Sequence, residues 1–415
     1  MLRVKKNLLR ATAKQYKFLR HLSRASKNLY NATLYLVRQH YFNCGEYLDH
    51  VQAYFQIREE EVYKSLPSDP AQQTMKMADR AFKSFFGLLR AKRNGQYNEP
   101  ISPPKYLDKD GYFALVFPCR EGRMKDQFRT LVPKHLQEKF GFKQFVVAKP
   151  EQLKGKTIKE VRIIPRVNHF EIEWVYEEKE PQPQELDNER TLGIDLGINN
   201  FAACVDSKSG RSFILDGRKI KSLNRYFNKR SARMMPKSKN KRRAWDKRNR
   251  IFNDTLNQYV NVVVQYCLAN KIGNVVIGQG YLAPKDKSHV FNQNFAFIPF
   301  GRFCFKLKSK CEMYGINYSS INEAYTSKCD HLAGEEMCHH EKYLGKRVHR
   351  GLFKSSTGVI LNADVNGALG MIVKSKHKVD VNHLVCSGCL TQPRIITLDE
   401  IHRSGSIQVV RRLAV

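Results

Sequence analysis

The sequence predicts a multidomain α+β protein: a β-rich module interrupted by a long helical segment, then an α/β domain. Three observations carry this. Apolar residues recur at helical spacing through 12–100, short β-branched and alternating runs fill 101–178, and strands alternate with helices from 191 onward. With 415 residues, 42% hydrophobic and 11% aromatic, the chain can bury two or three cores and is not a mostly disordered polymer.

Thr12 and Gln15 have the spacing of a capping box, which opens the first helix. Tyr16, Leu19, Leu22, Leu29, Tyr30, Leu34 and Val37 form its apolar stripe, and Lys14, Lys17, Arg20, Arg24 and Lys27 the opposite face. A second long helix is expected from about Asp69 to Lys92. Strands follow at 111–117, 144–147 and 161–164, and 170–176 alternates with period two, as in a β-barrel or sandwich. The polar, Pro-containing stretch 179–190 reads as a linker. Beyond it, strands are expected at 191–195, 200–205 and 212–215, then a helix and the basic run 237–250. An amphipathic helix over 251–270, a strand at 274–278, a helix at 299–313, a strand at 316–319 and a last helix near 364–374 complete the domain.

Lys plus Arg number 72 against 39 Asp plus Glu, a formal charge of +33. An excess of that size repels itself unless a polyanion neutralises it, so nucleic acid is the expected partner. No apolar run approaches 18 residues and no lipidation signal is present, so no membrane is expected. A prokaryotic cytoplasmic location, on the nucleoid when DNA is bound, follows as an expectation. The ten cysteines are scattered, several within apolar segments, and are expected to be reduced.

Asp195 closes an apolar strand within Gly193-Ile194-Asp195-Leu196-Gly197, and Asp364 opens a helix within Asn362-Ala363-Asp364-Val365-Asn366-Gly367. Strand ends facing a crevice are where open α/β sheets place ligands, although Asp364 with its neighbours would also make an ordinary helix start. The order strand, strand, strand, helix, strand, helix, with carboxylates on the first strand and a late helix, matches the RNase-H-like (RuvC-like) nuclease plan. Two magnesium ions held by such carboxylates cut phosphodiesters.

Segments spanning almost the whole chain resemble one family. They include Lys27-Asn28-Leu29-Tyr30-Asn31-Ala32, Pro104-Lys105-Tyr106-Leu107-Asp108-Lys109-Asp110-Gly111 and Asn292-Gln293-Asn294-Phe295. Glu323-Ala324-Tyr325-Thr326-Ser327-Lys328 and Gly345-Lys346-Arg347-Val348-His349-Arg350-Gly351-Leu352 join the two Asp segments. Together they resemble the TnpB family, RNA-guided nucleases encoded by insertion sequences and related to type V CRISPR effectors. The resemblance implies an OB-like wedge domain at 1–11 and 101–178 with a helical recognition domain, 12–100, inserted in it. It implies a RuvC-like nuclease domain at 191–375, carrying an inserted target-nucleic-acid-binding loop at 324–355, and a C-terminal tail at 376–415. It also implies a guide RNA, a target DNA opened into an R-loop, and a short duplex motif read by protein. The oligomeric state stays open.

Relatives often carry a catalytic Glu directly after the strand matching Val275-Val276-Ile277, where this chain has Gly278-Gln279-Gly280. A subgroup moves it to the position of Glu323. The expected magnesium ligands and catalytic residues are therefore Asp195, Glu323 and Asp364. Lys241, Arg242, Arg243, Lys247, Arg248, Arg347 and Arg350 are the expected nucleic-acid contacts. Relatives often hold zinc between the Tyr-Thr-Ser segment and the last Asp. Here Cys329 and Cys338 are the candidates, at irregular spacing, with Cys386-Ser387-Gly388-Cys389 as a lone later pair. The other readings are a non-cleaving RNA-guided repressor, a transposase with the same metal chemistry, and a CRISPR-associated effector.

Overall fold

The computed structural model describes residues 2–119, 124, 126–178, 184–278, 297–349, 351–377, 379 and 390–413. The chain forms two compact units, Met1–Lys179 and Glu180–Val415.

In the first unit, β1 (Leu2–Leu9) leads into α1 (Ala13–Cys44). The capping box forms: Thr12 Oγ1 accepts from the Gln15 amide (3.3 Å) and Gln15 Oε1 from the Thr12 amide (3.0 Å). Two short helices, α2 (His50–Ile57) and α3 (Glu61–Lys64), precede α4 (Ser68–Arg93). The stripe residues Leu19, Leu22, Leu29 and Leu34 of α1 are buried in one core with Met75 and Phe82 of α4. Ser26 and Thr74 hydroxyls pair across these helices at 2.8 Å. Lys27, expected on the wet face, is buried instead, and its Nζ donates to the Lys109 carbonyl (2.9 Å). Arg24 pairs with Asp110, and Arg20 donates to the Tyr112 hydroxyl, so the 108–112 turn engages three of the five basic residues and neutralises one of them.

The strand expected at 111–117 starts later, as β2 (Leu115–Pro118). Its first residues are diverted: the Gly111 amide closes a turn on Asp108 (2.8 Å) and the Phe113 amide donates to Ser23 of α1 (2.9 Å). Next come β3 (Gln127–Leu131), α5 (Lys134–Phe140), β4 (Gln144–Ala148), β5 (Ile158–Pro165) and β6 (Phe170–Glu177). The main sheet runs β1-β6-β5-β2, all antiparallel, and β3 with β4 forms a separate ladder. Because β1 pairs with β6, helices α1–α4 are an insertion within one sheet.

The second unit is built on a six-stranded sheet. Its first three strands, β7 (Asp187–Leu196), β8 (Asn200–Asp206) and β9 (Ser212–Asp216), are an antiparallel meander. After α6 (Arg218–Ala232) and the 31-residue α7 (Lys239–Ala269), β10 (Ile272–Gly278) pairs parallel to β7. Then α8 (Phe300–Met313) leads to β11 (Asn317–Ile321), parallel to β10. A small ladder of β12 (Lys346–His349), β13 (Leu352–Lys354) and β14 (Ile360–Asn362) delivers the chain to α9 (Ala363–Lys374).

The structure corrects two expectations. The sheet strand begins at Asp187, inside the stretch read as linker. Polar Asp187-Asn188-Glu189-Arg190 pairs by its backbone, with the Asp187 amide on Lys271 O (2.7 Å) and Asn274 Nδ2 on Asn188 O (2.6 Å). The segment read as a tail contains β15 (Arg394–Ile396), parallel to β9, and α10 (Leu398–Arg411), broken at Gly405. Ile396, Leu398, Ile401, Val409 and Val410 are buried in the main core, so this segment belongs to the domain. The strand order is β11-β10-β7-β8-β9-β15.

Period two sorts the sheet's side chains onto two faces. Leu192, Ile194, Ala202, Cys204, Phe213 and Leu215 pack with Leu256, Val260 and Val263 of α7. Ala203, Val205 and Ile214 pack on the other face with Val365, Leu369 and Ile372 of α9. Gly193 lets α9 lie directly on β7, since a Cβ there would stand 2.2 Å from the Ala368 carbonyl. Among the described residues no helix is long and apolar enough to cross a membrane.

Candidate active site

Asp195 lies two residues after Gly193, so it shares the α9 face of β7. The helix makes room for it at Gly367, where a Cβ would stand 2.6 Å from Asp195 Oδ2. Asp364 enters in the first turn of α9. Asn362 caps that turn, its Oδ1 accepting from the Asp364 (2.9 Å) and Val365 (3.3 Å) amides. The Asp364 carboxylate sits at the positive end of the helix and accepts from Asn200 Nδ2 at 2.6 Å.

Glu323 comes from the end of β11. The last residue of β11, Ile321, pairs with Gly278, the last of β10. The chain then turns so that the Glu323 side chain fills the space beside Gly278: a Cβ on residue 278 would stand 2.1 Å from Glu323 Oε1 and 2.6 Å from its Cδ. Thus the carboxylate occupies the place into which a side chain at 278 would project.

The three carboxylates feel one another. Burial, then Glu323, then Asp364, push the Asp195 carboxyl well above the usual carboxylate range, against the pull of the Arg347 guanidinium and the Leu196 amide. Oxygen donors of like charge crowded at strand and helix ends suit a hard divalent cation, which would relieve their repulsion. Among the described residues no group of three or more His, Cys, Asp or Glu side chains is gathered tightly enough to hold a metal as it stands. The fit to magnesium is therefore one of donor chemistry and charge.

Glu335, the rival carboxylate in the following loop, is committed elsewhere. Its Oε2 accepts from the Asp330 amide (2.7 Å) and its Oε1 from the Leu344 amide (2.8 Å). Arg347 is exposed on β12, and its charge reaches Asp195. Arg242, Arg243 and Lys247 are exposed on the first turns of α7, with Lys241 half-buried. Arg248 is a correction: it is 5% exposed, donates to Asn224 Oδ1 (2.7 Å) and to the Phe297 carbonyl, and lies 4.2 Å from the Phe252 ring centroid. Its position one turn past Ala244 points it inward, where it ties α7 to α6. Arg350 lies outside the described residues.

Cys329 and Cys338 are neighbours. The Cys329 thiol donates to Glu336 O (3.5 Å), and Cys338 Sγ lies 3.4 Å from His340 Nε2. This is two thiols and an imidazole, short of a four-ligand zinc site among the described residues. Cys386, Cys389 and the Asn292–Phe295 segment lie outside the described residues.

Residues 173–282 match the OrfB_IS605 family model, described as a probable transposase, and residues 300–371 match the Cas12f1-like TNB domain. A TnpB-like protein of Acidianus two-tailed virus, ORF457, is 23% identical over 397 residues, covering 87% of this chain and 84% of that protein. The chain is thus similar to TnpB proteins over most of its length. Among solved structures, the fold resembles a Cas12f1 determined by cryo-electron microscopy with sgRNA and target DNA. The TM-score is 0.56 at 12% identity, over 87% of this chain and 83% of that one. At that identity the likeness speaks for a mixed α+β multidomain fold.

Sequence reading singled out Gly278 as the place without a carboxylate, but missed that it makes room for Glu323, that Gly367 makes room for Asp195, and that Asn200 partners Asp364. Asn200 follows shortly after the Asp195 motif, but only the folded meander brings it across to α9.

Proposed function

We propose that this TnpB-like chain is an RNA-guided, magnesium-dependent DNA endonuclease with a single RuvC-like site formed by Asp195, Glu323 and Asp364. The observation that carries the reading is the Glu323 carboxylate filling the space beside Gly278, at the same end of the parallel strands β10 and β7 as Asp195. The β9-β8-β7-β10-β11 order, an antiparallel meander extended by parallel strands, is that of an RNase-H-like sheet. The β1-β6-β5-β2 sheet, interrupted by helices between β1 and β2, supports reading this unit as the OB-like wedge with an inserted recognition domain.

When bound, magnesium would activate a water and stabilise the leaving oxygen of a phosphodiester. The protein's share is to hold the ligands. Asp195 is fixed by β7 and by contact with α9, Asp364 by the Asn362 cap and Asn200, and Glu323 by the β11 end. Arg347, whose charge reaches Asp195, would offset charge on a nearby phosphate, and Lys241, Arg242, Arg243 and Lys247 would neutralise a backbone. A guide RNA would supply sequence recognition by pairing with the target in an R-loop beside a short duplex motif, in the cytoplasm.

The test is to purify the protein from its host, sequence co-purifying RNA, and assay cleavage of DNA matching its variable end. Magnesium-dependent cutting that Asp195→Ala abolishes, with RNA and DNA still bound, supports the reading. RNA and target binding without cutting by the wild type points to a repressor, and strand transfer without RNA to a transposase.

A further inference from the structure

The Glu323–Thr326 turn has an unfavourable backbone. The Thr326 amide (3.2 Å) and hydroxyl (2.9 Å) both donate to the Glu323 carbonyl, closing the turn. Its third residue, Tyr325, has φ +70°, a conformation that favours glycine and costs a β-carbon-bearing side chain about 1 kcal/mol or more. Such a turn persists only if its surroundings over-determine it.

Helix α9, which carries Asp364, supplies that constraint. Lys374 Nζ donates to the Ala324 carbonyl (2.8 Å), and Asn366 Nδ2, fully buried, donates to the Cys329 carbonyl (3.1 Å). Between them lies His331, 3% exposed, whose Nε2–H donates to the Thr326 carbonyl at 2.7 Å. The imidazole lies against α9 at Gly370, where a Cβ would stand 2.4 Å from His331 Nε2 and 2.9 Å from Thr326 O. A side chain at 370 would displace both. Lys374, His331 and Asn366 therefore clamp three carbonyls of 324–329 around the helix that bears Asp364.

We infer that His331 is a positioning residue for Glu323: seated on Gly370, it holds the strained 323–326 turn so that the Glu323 carboxylate stays beside Gly278, facing Asp195 and Asp364. This rests on Glu323 being a metal ligand. A Glu side chain on a two-residue leash after β11 has many rotamers within reach, and fixing its turn removes most of that freedom. Outer contacts of this kind typically govern metal affinity by tenfold to a hundredfold.

The experiment compares the full chain with His331→Ala, His331→Gln, Gly370→Ala and Glu323→Gln. Each is titrated with manganese, read by loss of the free-ion paramagnetic resonance signal, and loaded with guide RNA for cleavage against magnesium concentration. His331→Ala and Gly370→Ala are expected to weaken manganese binding and to raise the half-maximal magnesium concentration about tenfold or more, with guide-RNA affinity unchanged. His331→Gln, whose amide can still reach the Thr326 carbonyl, should stay within about threefold of wild type. If His331→Ala lowers the folded fraction and RNA binding while metal dependence is unchanged, the role is merely structural and the inference falls. If Glu323→Gln itself keeps wild-type metal dependence, the assignment of Glu323 fails, independently of His331.

Discussion

Gly278 and Glu323 share one volume: the carboxylate of Glu323 stands where a β-carbon of residue 278 would be, 2.1 Å from Oε1. The glycine is thus the complement of the glutamate. Gly278→Ala should eject Glu323 and abolish guided cleavage while leaving RNA binding near normal. Gly278→Glu combined with Glu323→Ala should recover more cleavage than Glu323→Ala alone, because the carboxylate is then delivered from the strand end. Equal, background-level cleavage by the two would argue against an exchangeable position.

Crowded carboxylates cost stability in the absence of a cation. Asp195 is desolvated beside Glu323 and Asp364. Asp195→Asn should therefore raise the metal-free melting temperature by a few degrees, as about 1 kcal/mol does in a domain of this size, and stop cleavage. A lower melting temperature would show that Asp195 stabilises the fold rather than opposing it.

Arg190 and Asp206 contribute to the acid limb of stability. Burial raises the Asp206 carboxyl, but hydrogen bonds from Arg190 (2.6 Å) and Ser209 overcome that and hold it below the usual range. With the folded pKa depressed, the contribution is full above the ordinary Asp range and is lost as pH falls through the folded value. Asp206→Asn should flatten the acid side of the pH–stability curve. Arg190→Met leaves a buried charge and should cost about 3–5 kcal/mol at neutral pH.

Basic residues of α7 divide by burial. Neutralising exposed Arg242 and Arg243 with Lys241 should flatten the slope of log RNA affinity against log salt, by about 0.7–0.9 for each phosphate that is no longer neutralised. Arg248→Ala should leave that slope unchanged and lower thermal stability, because its guanidinium holds Asn224 and Phe297. A slope change on Arg248→Ala would return it to the nucleic-acid surface.

Most elements were legible because apolar period marks a strand or helix wherever a face is buried. Helix α4 fell within one residue of its expected ends for that reason. The reading failed where backbone pairing or polar contacts decide instead. Asp187–Arg190 looks like linker because its strand is held by main-chain bonds and by the Arg190–Asp206 pair. Arg248 looks solvated because no pattern of charge reveals that an arginine packs on Phe252. The three carboxylates could be named from motifs, but what brings Glu323 to Asp195, a glycine at the end of one strand and a strained turn after the next, is written only in three dimensions.

Glu323→Gln and Glu335→Gln, compared in one guided cleavage assay, test the assignment most directly. Glutamine keeps the shape and loses the charge. Glu323→Gln is expected to lose at least about 100-fold in rate, as loss of a group acting on transition-state charge does, with guide RNA and target still bound. Glu335→Gln, which caps the Asp330 and Leu344 amides, should keep most cleavage and lose some stability. Near-normal cutting by Glu323→Gln together with loss in Glu335→Gln would contradict the account and move the third ligand into the 329–341 loop.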